Sequence, residues 1–98
     1  MIAGFDWDDG NHDKCIGHGV STNEIEALLT GTVVILPDEA HSWTETRFKA
    51  IGQTTQGRHV FIVFTIRALG GSLYIRPISA RYMHQKEVES YEEENPNL

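Results

Sequence analysis

Residues 60–66 read VFIVFTI, apolar at every position except Thr65. A short apolar run rich in β-branched and aromatic residues predicts a strand, and this one is the most apolar of the chain, so it is the expected centre of a sheet. That expectation constrains its neighbours. Arg67 stands at the strand exit, and Gly70-Gly71 supplies a two-residue hairpin turn. Leu73–Ala80 is then the partner strand, with Pro77 marking an irregular or edge stretch. On the other side Arg47–Gln53 alternates, with Phe48, Ala50 and Gly52 set against Arg47, Lys49 and Ile51, and Gln56-Gly57 makes the turn into the central strand.

Upstream, Ile2–Trp7 reads as a short first strand. Asp8 is a good N-cap for a helix over 9–17. Gly10 and Gly17 weaken that helix by roughly 1 kcal/mol each relative to alanine. Ser21 opens a second helix through a capping box with Glu24; Ile25, Leu28 and Leu29 form its apolar stripe, and Gly31 stops it. Val33–Leu36 is a strand ended by Pro37-Asp38, followed by the polar loop DEAHSWTE. A last helix over 84–94 docks through Val88 and Tyr91, and residues 95–98 are expected to fray. The order β-α-α-β-β-β-β-α predicts one α+β domain over residues 1–98, a mainly antiparallel sheet with helices packed on one face.

Charge is distributed in three blocks. Residues 1–45 carry −8, with Lys14 their only cation; residues 46–86 carry +7 and no carboxylate; residues 87–98 carry −5. The net charge of −6 therefore conceals a cationic sheet segment able to meet a polyanion, with RNA the expected one. The alternative is that these cations are spread over both sheet faces and merely solvated. No apolar run approaches the roughly 20 residues of a membrane span, and MIAGFDWDDG has no basic stretch before an apolar one, so a cytoplasmic protein is expected. Cys15 is the single cysteine, expected as a small buried hydrophobe. There is no Walker loop, G-x-G-x-x-G, H-x-x-x-H or C-x-x-C, so no metal or cofactor is expected.

Metal-free RNA cleavage fits the remaining inventory. It needs a group to take the 2′-hydroxyl proton, another to protonate the leaving 5′-oxygen, and cations to stabilise the phosphorane. His41, Glu45 and Arg47 fall within seven residues, and Arg67 and Arg81 lie at ends of other strands from which they can converge on that loop. Trp7, Trp43 and Tyr82 are candidates for stacking on unpaired bases. Each has a plainer alternative. His41 is a loop histidine without a role, Glu45 and Arg47 form a surface ion pair, Arg81 caps the sheet against the acids of the last helix, and Trp7 belongs to the core.

Specific words accumulate along the chain: F-D-W-D at 5–8, Asn11, Lys14, H-G-V-S at 18–21, H-S-x-x-E-x-R at 41–47, G-x-x-x-x-G-R at 52–58, Arg67, I-x-P-I-S-A-R at 75–81 and E-x-x-x-Y at 87–91. In that order they resemble the BrnT family of toxins from bacterial type II toxin–antitoxin pairs. The resemblance implies a RelE-like α+β fold and an endoribonuclease that inhibits translation by cutting RNA. It also implies a BrnA-like ribbon-helix-helix antitoxin, with operator DNA engaged only through it. Carried onto this chain, the active-site set is His41, Glu45, Arg47, Arg67 and Arg81, with His18 and Lys14 nearby. Lys49, Arg58, Arg76 and Lys86 are outer RNA contacts, with Trp7 and Tyr82 as aromatic ones. Two positions depart from the family pattern. Gly17 stands where a lysine usually precedes H-G-V, and His84 stands where the last helix usually has a Thr or Ser N-cap. The first departure supports a second reading, a catalytically weak or inactive module that binds the antitoxin and acts as co-repressor.

Overall fold

The computed structural model describes residues 2–31, 33–38 and 45–95. Its elements are β1 (Ile2–Phe5), α1 (Asp9–Ile16), α2 (Thr22–Thr30), β2 (Val34–Pro37), β3 (Arg47–Gln53), β4 (His59–Leu69), β5 (Ser72–Tyr82) and α3 (Gln85–Glu94). The apolar run lies inside β4, the middle strand of a sheet ordered β1-β5-β4-β3-β2. Strands β2 to β5 pair antiparallel, whereas β1 joins β5 in parallel, with Ile2 opposite Leu73 and Phe5 opposite Ile75. Gly70 and Gly71 turn the β4–β5 hairpin at φ 57° and 83°, the left-handed pair that such a turn requires.

Strand β1 ends sooner than its hydrophobic alternation suggests. The Asp6 N–H makes a last bond to Ile75 O (2.8 Å), and the chain then turns into the capping box of α1, where Asp8 and Asn11 bond reciprocally. Pro77 is accommodated by an irregularity rather than by an edge. Ser79 lies opposite Val63 and Pro77 opposite Phe64, so Ile78 is an extra residue on β5. A proline that cannot donate to the ladder fits at such a bulge.

Alternation along the strands gives the sheet two different faces. One carries Val60, Ile62, Phe64, Ala50 and Ala80, buried with Cys15 and Val20 and with Ile25 and Leu28 of α2. Helix α2 approaches β3 so closely that a Cβ on Gly52 would lie 2.8 Å from Val33 Cγ1 and 2.9 Å from Leu28 Cδ2. The other face carries Arg47, Lys49, Phe61, Val63, Thr65, Arg67, Arg76, Ser79 and Arg81. Helix α3 meets this second face at one end, where Glu87 bonds Arg81 and the Tyr91 ring lies 5.9 Å from His59. The expectation that all helices share one face is therefore corrected. Arg81 and His59 alternate with the core residues Ala80 and Val60, so a helix tied to them must dock on the opposite side. Among the described residues no helix is long and apolar enough to cross a membrane.

Gly52→Ala forces Leu28 and Val33 apart and is expected to cost about 1–3 kcal/mol of stability. Equilibrium urea unfolding measures this directly; a change within experimental error would mean that α2 shifts without cost.

Candidate functional site

The register places Arg47, Thr65 and Arg76 in one row across β3, β4 and β5, with Arg67 two residues further along β4 on the same face. Thr65, 1% exposed, donates its hydroxyl to Thr46 O (2.7 Å) and so holds the start of β3, with Glu45 and Arg47, against the centre of the sheet. From the other side, α1 is set by Asn11. Its Nδ2 donates to Asp6 O (2.9 Å) and to Pro77 O (2.7 Å). Lys14, one turn later on the same side of the helix, reaches the same region.

These elements border an open cavity of about 350 Å³ whose walls include Lys14, Glu45, Arg47, Arg67, Arg76 and Ile78. Glu45 Oε2 lies 3.5 Å from Arg67 Nε. Asp6 Oδ2 bridges two arginines, 4.0 Å from Arg67 Nη1 and 3.4 Å from Arg76 Nη1, and Asp8 Oδ2 lies 2.9 Å from Arg76 Nη2. The Asn11 N–H, reinforced by Arg76, holds the Asp8 carboxyl below the usual carboxylate range. A second cavity of about 250 Å³ adjoins the first, lined by Lys49, Phe61, Val63 and Ser79 and sharing Lys14, Arg47 and Ile78 with it.

Glu45, Arg47, Arg67, Lys14 and Arg76 thus come together, and Lys49 lies beside them. Arg81 shares the face but stands opposite Phe61, four residues along β4 from the Arg47 row, or about 13 Å at the usual rise. His18 is exposed in the turn after α1, Lys86 is exposed on α3, and neither lines either cavity. Arg58 stacks 3.5 Å over the Tyr82 ring on the α2 side, where the Tyr82 hydroxyl bonds Glu24 at 3.3 Å. Trp7 donates Nε1–H to Glu26 (2.8 Å) and packs against the core. His41 and Trp43 lie outside the described residues.

A face that combines a carboxylate, three arginines and a lysine around one cavity suits a phosphodiester, since planar guanidinium forks match phosphate oxygens. The family described as "Ribonuclease toxin, BrnT, of type II toxin-antitoxin system" matches residues 7–87. This chain belongs to the BrnT family. A search of curated proteins found no match. The resemblance carried by the scattered words of the sequence was thus a sound one, and membership brings with it an antitoxin partner and an RNA target.

In this BrnT chain Arg81 is committed to Glu87 by two bonds of 2.8 Å, Nη1 to Oε1 and Nη2 to Oε2. Its guanidinium also stands 5.1 Å from the Phe61 ring centroid. The same Glu87 carboxylate accepts the His84 N–H (2.9 Å), so the acid caps α3 although His84 provides no side-chain cap. Helix α3 buries no residue, which makes this pair a principal tether. Cys15 is fully buried, and desolvation pushes its thiol up to about 11, an inert group. Sequence reasoning missed the convergence of Asp6 and Asp8 on Arg76, which no local pattern signals. It also missed Phe61, Val63 and Ile78 as apolar residues on the open face. The apolar character of both alternating sets in β4 was the available sign.

The bonds from Arg81, then from His84 N–H, hold the Glu87 carboxyl at about 2 rather than the ordinary 4.5. A folded-state value below the unfolded one contributes stability that is complete above about pH 4.5 and is lost as pH falls toward about 2. Melting curves of the wild type and Glu87→Gln should therefore differ near neutrality and converge across that window. A gap independent of pH would refute the assignment.

Proposed function

We propose that this BrnT-family chain is a metal-independent endoribonuclease that arrests translation by cutting RNA. The observation that carries this reading is the cavity joining Glu45 to Arg47, Arg67 and Lys14 in a chain of a ribonuclease family. Arg47 and Arg67 hold the scissile phosphate and meet the charge of the phosphorane, with Lys14 completing the rim. Glu45 or His41 takes the 2′-hydroxyl proton as the 2′-oxygen bonds to phosphorus. The phosphorus–5′-oxygen bond then breaks, and the other group returns a proton to the leaving oxygen. Arg67, 3.5 Å from Glu45, orients that carboxylate as well as binding phosphate. Arg81 acts at the far end of the face by holding α3.

The wider reading is a RelE-like topology, a cytoplasmic protein, and a BrnA-like ribbon-helix-helix antitoxin through which alone operator DNA is reached. Two observations favour a second reading, a co-repressor with little catalysis. Asp6, Asp8 and Glu45 already engage Arg67 and Arg76, and Gly17 removes a cation usual in the family.

Incubating purified protein with single-stranded RNA in EDTA separates the two. The nuclease cuts at an undiminished rate in the chelator, and Arg47→Ala or Arg67→Ala lowers that rate about 10²–10³-fold with an unchanged melting curve, the usual cost of losing one transition-state donor. Intact RNA with the wild-type protein, together with tight antitoxin binding, establishes the co-repressor instead.

A further inference from the structure

The second cavity shares Lys14, Arg47 and Ile78 with the first but has Phe61 and Val63 where the first has Glu45, Arg67 and Arg76. On a sheet face that none of the described helices covers at this point, solvent-facing positions are ordinarily polar. Here Phe61, Val63 and Ile78 are half-buried and adjacent, and they form an apolar floor. Lys14, Arg47 and Lys49 surround it, Ser79 adds a hydroxyl, and Asp38, 5% exposed, stands in the wall. Lys14, Arg47 and Ile78 belong to both cavities, so floor and phosphate site abut. Arg81 at 5.1 Å steadies the Phe61 ring from outside the cavity.

We infer that this floor is a nucleobase seat, which takes one unpaired base of an RNA strand while the neighbouring phosphate lies against Arg47 and Lys14. The inference rests on the ribonuclease reading and deepens it by naming the substrate class as unpaired RNA. An apolar, aromatic-lined floor rewards a π-face, and the cationic rim complements the phosphates on either side of it. A base paired within a helix keeps its faces stacked and cannot enter. Of the aromatic residues singled out in the sequence, Trp7 bonds Glu26, Tyr82 lies beneath Arg58, and Trp43 lies outside the described residues. Among the described residues, Phe61 is an aromatic ring that lines a cavity on the cationic face.

The test compares binding of the full chain to a single-stranded 2′-O-methyl oligoribonucleotide, the same sequence as a duplex, and inorganic polyphosphate. The 2′-O-methyl group removes the nucleophile, so affinity is read without cleavage. The wild type prefers the single strand. Phe61→Ala is expected to weaken single-strand binding by about tenfold or more, in line with the worth of one stacked base, and to leave polyphosphate binding unchanged. Ile78→Ser, which removes another part of the floor, should act in the same direction and stands in if Phe61→Ala fails to fold. Lys49→Gln should instead weaken all three ligands alike and reduce the salt dependence by about one unit of slope.

Equal loss of all three ligands in Phe61→Ala, or no loss at all, overturns the seat. So does retained RNA binding with loss of antitoxin binding, which would assign the floor to the protein partner. Cleavage by the wild type with an unaltered strand preference in Phe61→Ala removes the seat and leaves the nuclease standing. A Phe61-dependent preference without cleavage does the reverse.

Discussion

Asn11 donates both protons of one buried amide, to the carbonyl of Asp6 and to that of Pro77. It therefore ties three pieces of chain together: the end of β1, the first turn of α1 and the bulged part of β5. Leaving such carbonyls unpaired in the interior would cost roughly 1–3 kcal/mol each, so the contact dictates where α1 lies. Much of the site depends on that position. It brings Lys14 to the rim of both cavities, and it aligns the end of β1 so that Asp6 and Asp8 meet Arg76. Pro77 O lies two residues beyond Ile75 O on the same edge of β5 and is left for Asn11 because β1 has already ended, while the bulge at Ile78 adds an apolar side chain to the walls of both cavities.

The arginines are held in a chain of carboxylates running from Asp8 through Arg76, Asp6 and Arg67 to Glu45. Partly exposed pairs of this kind contribute little to stability. Their effect is positional: each guanidinium is directed before any substrate arrives, which reduces the ordering needed on binding. It also moderates the field of the face, because the charge of Arg67 is met by Asp6 and Glu45.

Most of the fold was legible in the sequence. The capping boxes at Asp8 and Ser21, the apolar stripe of α2, the β4 run and the Gly70-Gly71 turn depend on residues a few positions apart, so local chemistry suffices to read them. The candidate site was legible in part. Glu45, Arg47 and Arg67 do meet, whereas Arg81 is paired with the acid of α3, as its plainer reading had it. His41 lies outside the described residues. Arg58 and Tyr82 look like RNA contacts from composition but stack on each other against α2, because Tyr82 alternates onto the core face. Alternation assigns residues to a common face without saying which face is open.

By itself, the sequence determined the periodicities, the caps, the turns and the identity of the charged groups, since each is written within a few neighbouring residues. It also carried the family, whose words are spread in order over the chain. Only the tertiary structure decided that β1 lies parallel to β5, that α2 and α3 take opposite faces, and that Asp6, Glu45, Arg67 and Arg76 share one cluster. The physical reason is the distance in sequence between these partners. The stretch from residue 46 to 86 is free of carboxylates only along the chain; in space Asp6, Asp8, Glu45 and Glu87 all pair with its arginines.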